Sequence, residues 1–212
     1  MGKVLLIGFI AVLVVGVLLA LAAVGSYNNI VGLSQATDSQ WAQVQNVYQR
    51  RADLIPNLVN TVAGAANFEK STLAEVVNAR ASVGKVQLPA NAPTDPQKLA
   101  EFEQAQGQLT SALSRLLVVV ERYPDLKSNQ SFLALQTQLE GSENRISVER
   151  GRFNDAVRDY NTAIQRFPGM LVAGFGGFHP KPYFQGAPGV EKAPQVQFNF
   201  GPNAAPAPAP AR

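Results

Sequence analysis

The chain has 212 residues, 46% hydrophobic and 16% charged, with no cysteine and a single histidine, His179. The absence of thiols excludes disulfides, thiolate metal sites, a cysteine nucleophile and a lipid-modified cysteine, and one histidine leaves little room for imidazole chemistry. The net charge of +3 belongs to the ends: residues 27–168 hold 14 Lys/Arg against 14 Asp/Glu, and a neutral body without a basic face excludes a nucleic-acid partner.

Residues 4–24 carry no charge, no proline and nothing more polar than glycine. Their 21 residues match the ~30 Å hydrocarbon core at ~1.5 Å of rise each, which predicts a membrane-spanning helix over 1–25. Ala20-Leu21-Ala22 has a spacing that signal peptidase accepts. The run is nevertheless longer than the ~7–15 apolar residues of a cleaved signal, so an uncleaved anchor is expected. Lys3 precedes the span, and no positive residue follows it before Arg50. The positive-inside bias therefore places the amino terminus in the cytoplasm and the body outside. Gly16 and Ala20 form a small-xxx-small pair, a common pattern in membrane helices.

Beyond the span the apolar positions follow helical spacing. Thr37, Trp41, Val44, Tyr48, Arg51, Ile55, Leu58, Val62 and Ala65 advance by threes and fours, which predicts a first long helix over 27–85. Pro56 deletes a hydrogen bond and crowds the carbonyl four residues back, so a kink is expected near 52–56. Pro89, Pro93 and Pro96 mark a loop, with Asp95 a cap for a second helix over 96–122 carrying Phe102, Gln106, Leu109, Leu113 and Leu116. Tyr123-Pro124 ends it. The third track, from Phe132 through Leu139, Ile146, Glu149, Phe153 and Tyr160 to Phe167, predicts a helix over 128–167. Short connections make such neighbours antiparallel, so the fold class is all-α: a transmembrane helix followed by an elongated antiparallel bundle over 26–168.

Two charges interrupt the tracks. Arg51 and Glu149 both occupy core positions, where a charge is rarely buried without a partner. Either they pair and fix the helix register, or each snorkels to solvent at the edge of its stripe.

No constellation points to a reaction. Glu140 with Glu143, Glu101 with Glu103, and Asp155 with Asp159 are carboxylate pairs of the kind that lace any helix surface beside arginines. Ser142 and Ser147 have no base in reach, and residues 174–177 lack the lysine and hydroxyl of a phosphate loop. His179 sits in a proline-held stretch and reads as a surface residue. No cofactor, metal or catalytic residue is therefore expected, and the chain is read as a non-enzyme.

Residues 169–200 are rich in glycine and aromatics and predict an extended interaction arm carrying Phe175, Phe178, Tyr183 and Phe184. Val196, Phe198 and Phe200 alternate with polar residues like a short strand in need of an edge. The arm packs either on its own bundle or on a neighbour's. The Ala-Pro repeats of 201–212 predict a disordered tail.

Several blocks together carry a resemblance: RRADLIPNLVNTV at 50–62, NAR at 78–80, LEGSENRI at 139–146, and FN, YN and FP at 153, 160 and 167. With YF at 183 and VQFNF at 196–200, they resemble the LemA family of bacterial membrane proteins over about residues 4–200. Where members often carry alanine before the arginine of the third helix, this chain has Glu149 before Arg150. The resemblance implies a single-pass protein of the bacterial inner membrane with an antiparallel helical domain and no established enzyme activity. It also implies links to envelope stress and to membrane proteases, and it supplies no catalytic residues. The expectation is a membrane-anchored scaffold that self-assembles as a homo-oligomer. The alternative is an adaptor or regulatory subunit for a membrane protease or another envelope protein partner.

Overall fold

The computed structural model describes residues 2–65, 68–86 and 90–185. Its elements are α1 (Gly2–Ala63), α2 (Lys70–Lys85), α3 (Pro96–Val120), α4 (Pro124–Lys127), α5 (Gln130–Gln165) and α6 (Gly169–Gly176), with no strand among the described residues. The all-α architecture expected from the tracks is present.

The apolar span and the first bundle helix are one object. α1 runs for 62 residues, about 93 Å at ~1.5 Å per residue, and its first third is long and apolar enough to cross a membrane. Large side chains from Leu6 to Val24 are 49 to 72% exposed, whereas from Ile30 onward the same helix buries Trp41, Val44, Ile55 and Leu58. The switch is one of side-chain chemistry on a continuous backbone.

The helix does not break at Pro56, which lies inside α1. Proline leaves the carbonyl of Ala52 without its usual amide donor, and the Nε of Arg80, reaching over from α2, donates to that oxygen at 3.1 Å. The blocks at 50–62 and 78–80 are thus joined by one hydrogen bond. Arg80→Met should cost about 1 kcal/mol, the usual worth of such a bond, read as a lower melting temperature by circular dichroism. Arg80→Met in a Pro56→Ala background should cost less, because the alanine amide then satisfies Ala52; equal losses would sink the assignment.

The expected single helix over 27–85 is corrected at this point. α1 ends at Ala63 and α2 starts at Lys70, running back against α3, where Glu75 meets Arg115 and Glu69 meets Arg122. The apolar track of α1 ends near Ala65 because the chain there leaves its groove against α5 and turns to cover α3. The caps of the next helices follow sequence logic: Asp95 accepts from the amide of Gln97 ahead of Pro96, and Asn129 from those of Ser131 and Phe132.

α5 runs antiparallel to α1, with Ile30 beside Tyr160, Trp41 beside Phe153 and Arg51 beside Glu143. The core falls into three apolar clusters along the rod. The foot holds Ile30, Tyr160, Ile164 and Ala173; the middle holds Trp41, Phe102, Phe153 and Phe184; the tip holds Leu58, Val76, Leu116 and Phe132.

The stretch after α5 begins as a helix and not as an extended arm, a second correction. The Phe167–Pro168 peptide is cis, α6 follows, and Gly177 closes it at φ 69°, a left-handed geometry that suits glycine. Gly169 is required for a different reason: a Cβ there would stand 2.1 Å from the carbonyl oxygen of Ala163. Gly169→Ala should therefore shift α6 off α5, at a cost of about 1–3 kcal/mol typical of overpacking. Hydrogen exchange should show faster amides in α6 and unchanged ones in α2.

Candidate functional site

Two buried polar layers separate the three apolar clusters. The first lies between the middle and the tip. Arg51 is 2% exposed, and its guanidinium donates to Glu143 at 2.6 Å, to Thr110 at 3.1 Å and to the side-chain oxygen of Gln106. It also lies 5.3 Å from the ring centre of Tyr48, and burial pushes the Tyr48 phenol upward in pKa. α1, α3 and α5 thus converge on one cation.

The pairing of Arg51 with Glu149 is not what the fold makes. Glu149 instead accepts from Gln40 at 2.6 Å and from Arg152 at 2.8 Å on its own helix. The reason is register. Trp41 packs against Phe153, so ten residues farther along α1 Arg51 arrives ten residues back along α5, at Glu143. Glu143 lies beside the apolar track, half exposed, and reaches in from the rim.

The second layer lies between the foot and the middle and holds the arm. Asn161 on α5 donates to the carbonyl of Lys181 at 2.9 Å and accepts from its amide at 2.9 Å. Asn154 treats Phe184 the same way, at 3.0 and 2.9 Å. Each side-chain amide thereby imitates a neighbouring strand. The fit is one of lengths: seven helical residues rise ~10.5 Å, and three extended residues span about 10 Å. The asparagines of the FN and YN blocks therefore clamp residues 178–185 onto the protein's own bundle. Tyr160 adds a hydrogen bond to the carbonyl of His179 at 3.1 Å.

Lys181 locks the clamp. Its ammonium is buried and meets Asp38 at 3.0 Å, the Ser34 hydroxyl at 3.2 Å and Thr37, with the Tyr160 ring centre 5.0 Å away. Asp38 also accepts from the amide of Ala92, tying the loop before α3 into the same point. Farther along, Arg150 bridges Glu103 and the carbonyl of Gln185, both at 2.7 Å, and lies over the Phe184 ring. Burial pushes the Glu103 carboxyl upward from its ordinary pKa, opposed by Arg150 and the Gln185 amide.

The expected arm residues separate accordingly. Phe184 is buried, stacked 6.0 Å from Trp41 and edge-on to Phe153; Phe178 meets Tyr27 edge-on at 5.6 Å. Tyr183 is 43% and Phe175 95% exposed. Val196, Phe198 and Phe200 lie outside the described residues, as does the Ala-Pro tail. Asn154, Asn161 and Lys181 were missed as positioning residues; the matched spacing of two asparagines and an extended segment was the signal available.

Asn161→Ala should remove both partners of a buried backbone amide and carbonyl, costing about 2–3 kcal/mol. The Lys181 amide should exchange with solvent far faster. Asn154→Ala should cost less, since its bonds to Phe184 are only partly buried. Unchanged exchange at Lys181 would disprove the clamp.

A cleft of about 580 Å³ opens beside the first layer, with Tyr48, Arg51, Glu103, Gln106, Glu143 and Arg150 in its wall. Both guanidiniums are matched to carboxylates, so the wall presents neutralised ion pairs suited to holding helices together. Of the six carboxylates considered for catalysis, four pair with arginines, Glu143 with Arg51, Glu103 with Arg150, and Asp155 and Asp159 with Arg158; Glu140 accepts from the neutral Gln136, and Glu101 is exposed on α3.

Comparison with known proteins agrees with this architecture. The LemA family profile matches residues 40–198. Magnetosome proteins MamQ 2 and MamQ 1 of Paramagnetospirillum magneticum are each 28% identical over 198 residues, covering 84% of this chain and 73% of their own length. Protein LemA of Metamycoplasma hominis is 22% identical over 150 residues, covering 71% of this chain and 64% of its own length. The match spans the Arg51 layer and the strap clamped by Asn154 and Asn161, and the chain belongs to the LemA family.

Proposed function

We propose that this membrane-associated chain is a non-enzymatic scaffold, anchored by one span in the bacterial inner membrane, that self-assembles at the envelope with its bundle outside. The observation that carries the reading is the continuity of α1, which holds the apolar span and the first bundle rod in one helix. A continuous helix transmits orientation, so the bundle is held at a fixed angle and height above the bilayer, as a scaffold requires. Two further features support it. Gly16 has open space around the position of a Cβ, and with Ala20 one turn on, it offers a place where a second span could approach closely. Relatives named for the magnetosome, and not for a reaction, fit a structural role.

Light scattering coupled to size exclusion of the full chain in detergent tests self-assembly, with crosslinking in cells as its counterpart. Oligomers and predominant self-adducts are expected. Monomer at every concentration would overturn the scaffold, and adducts dominated by one heterologous protein would favour the adaptor reading instead.

A further inference from the structure

α6 carries two apolar stripes of which the bundle uses one. Gly169, Val172, Ala173 and Gly176, spaced by three and four, face α1 and α5, with Ala173 packed into the foot cluster. On the opposite side Met170 and Leu171 are 55 and 52% exposed, Phe175 is 95% exposed, and Phe167 just before the helix is 74% exposed. A soluble surface rarely gathers so many large apolar side chains on two helical turns.

Position says what covers them. A Cβ on Gly169 would lie 3.5 Å from the Ser26 hydroxyl, and one on Gly176 3.7 Å from the Tyr27 ring. The eight residues of α6 span about 12 Å, yet its two ends reach adjacent residues of α1. The short helix therefore crosses the long one instead of running beside it. Ser26 and Tyr27 follow the uncharged run of 4–24 after Gly25, the depth at which a spanning helix enters the headgroup layer, where tyrosine collects. Between Asp159 and Glu191 the chain has no acidic residue, and exposed Arg166 precedes the stripe, so no carboxylate of this stretch opposes contact of the apolar face with a headgroup layer.

We propose that α6 is a second membrane-contact element, lying across the foot of α1 with Phe167, Met170, Leu171 and Phe175 in the interfacial layer of the leaflet that α1 enters. This rests on the spanning role proposed for α1. It makes the anchor two-legged: α1 fixes the site in the membrane plane, and α6 fixes depth and resists tilt. Because α6 packs on α5 and α5 carries the strap, any movement of α6 relative to the lipid also acts on the clamp.

A chain without cysteine allows a clean test by site-directed spin labelling. Single cysteines replace Leu171, Phe175, Leu13 in the span, and Ser128 at the far tip. The full chain is reconstituted in vesicles of phosphatidylethanolamine and phosphatidylglycerol, and accessibility to oxygen and to a water-soluble nickel chelate is measured. The oxygen-to-nickel ratio at 171 and 175 should be several-fold above that at 128 and below that at 13. Ratios at 171 and 175 equal to that at 128, with 13 buried in lipid, would overturn the interfacial helix and leave the span intact. Exclusion of both reagents, with dipolar broadening that grows with protein density, would assign the face to a second copy and likewise overturn it. A tip-like ratio at 13 would remove the span and this proposal together.

Discussion

Asp38→Ala should be among the most damaging substitutions in the protein. Lys181 is 6% exposed, and its ammonium is held by the Asp38 carboxylate, the Ser34 hydroxyl and Thr37. Removing the carboxylate leaves a cation out of water with two hydroxyls, the Ser34 carbonyl and a ring face as partners, and also frees the amide of Ala92. Breaking a buried pair from one side costs about 3–5 kcal/mol in a dry site. Asp38 is partly exposed here, so about 3 kcal/mol is expected, a melting-temperature loss of roughly 6–12 °C for a chain of this size. Lys181→Met should cost clearly less, because it keeps the buried stem and leaves Asp38 able to accept from Ala92. The asymmetry is diagnostic: equal losses would mean that the pair, and not the stranded charge, sets the energy. Protease resistance of residues 178–185 should fall with Asp38→Ala, since the strap loses its lock.

What could be read from the sequence follows from where the information resides. The span, the tracks of α1, α3 and α5, and the Asp95-Pro96 start are local patterns of hydrophobicity and backbone preference, and each was legible. The end of α1 at Ala63 was legible only in part: Gly64 and Asn67 are both helix-stop residues, but the apolar track runs on to Ala65 across them, and the return of α2 onto α3 is a tertiary contact. The partner of Arg51 was missed for a related reason. A heptad track ranks Glu149 as the core position and Glu143 as its edge, but the register that brings Trp41 to Phe153 is a property of two helices together. A side chain as long as glutamate reaches one position sideways from the rim. The strap was hidden because its hydrogen bonds join an asparagine on a helix to backbone twenty or thirty residues later, and no periodicity records such a bond. In the sequence the α6 segment looks extended because its glycines resemble breakers, whereas Gly169 and Gly176 mark close packing against Ala163, Phe178 and Tyr27.

The two polar layers share a logic that the Arg51 site tests most directly. Arg51→Met should destabilise by about 2–3 kcal/mol, chiefly because it orphans Gln106, which is 5% exposed and directs its oxygen at the guanidinium. The lost attraction to Glu143 contributes less, since that side chain is 51% exposed and solvent screens it. Glu143→Gln should therefore cost about 1 kcal/mol or less. The double variant Arg51→Met with Gln106→Leu should recover much of the loss, because removing both partners of a buried polar contact is far cheaper than removing one. Denaturant unfolding of the four proteins yields the coupling energy: the loss in the double variant should be smaller than the sum of the two single losses by at least about 1 kcal/mol, as for contacting residues. An additive result would mean that Arg51 acts through its stem alone. If stability is recovered, specificity is the quantity to follow next. With Arg51 and Gln106 both apolar, the tip and middle clusters merge into one continuous seam along α1, α3 and α5, and a slide of α5 by a turn is then opposed by the Gln40–Glu149 and Glu103–Arg150 contacts and by the strap itself. A shift of that kind would carry Asn154 and Asn161 past Lys181 and Phe184. The double variant should thus refold to near-native stability with faster hydrogen exchange in the strap, which separates a layer that sets register from one that merely adds energy.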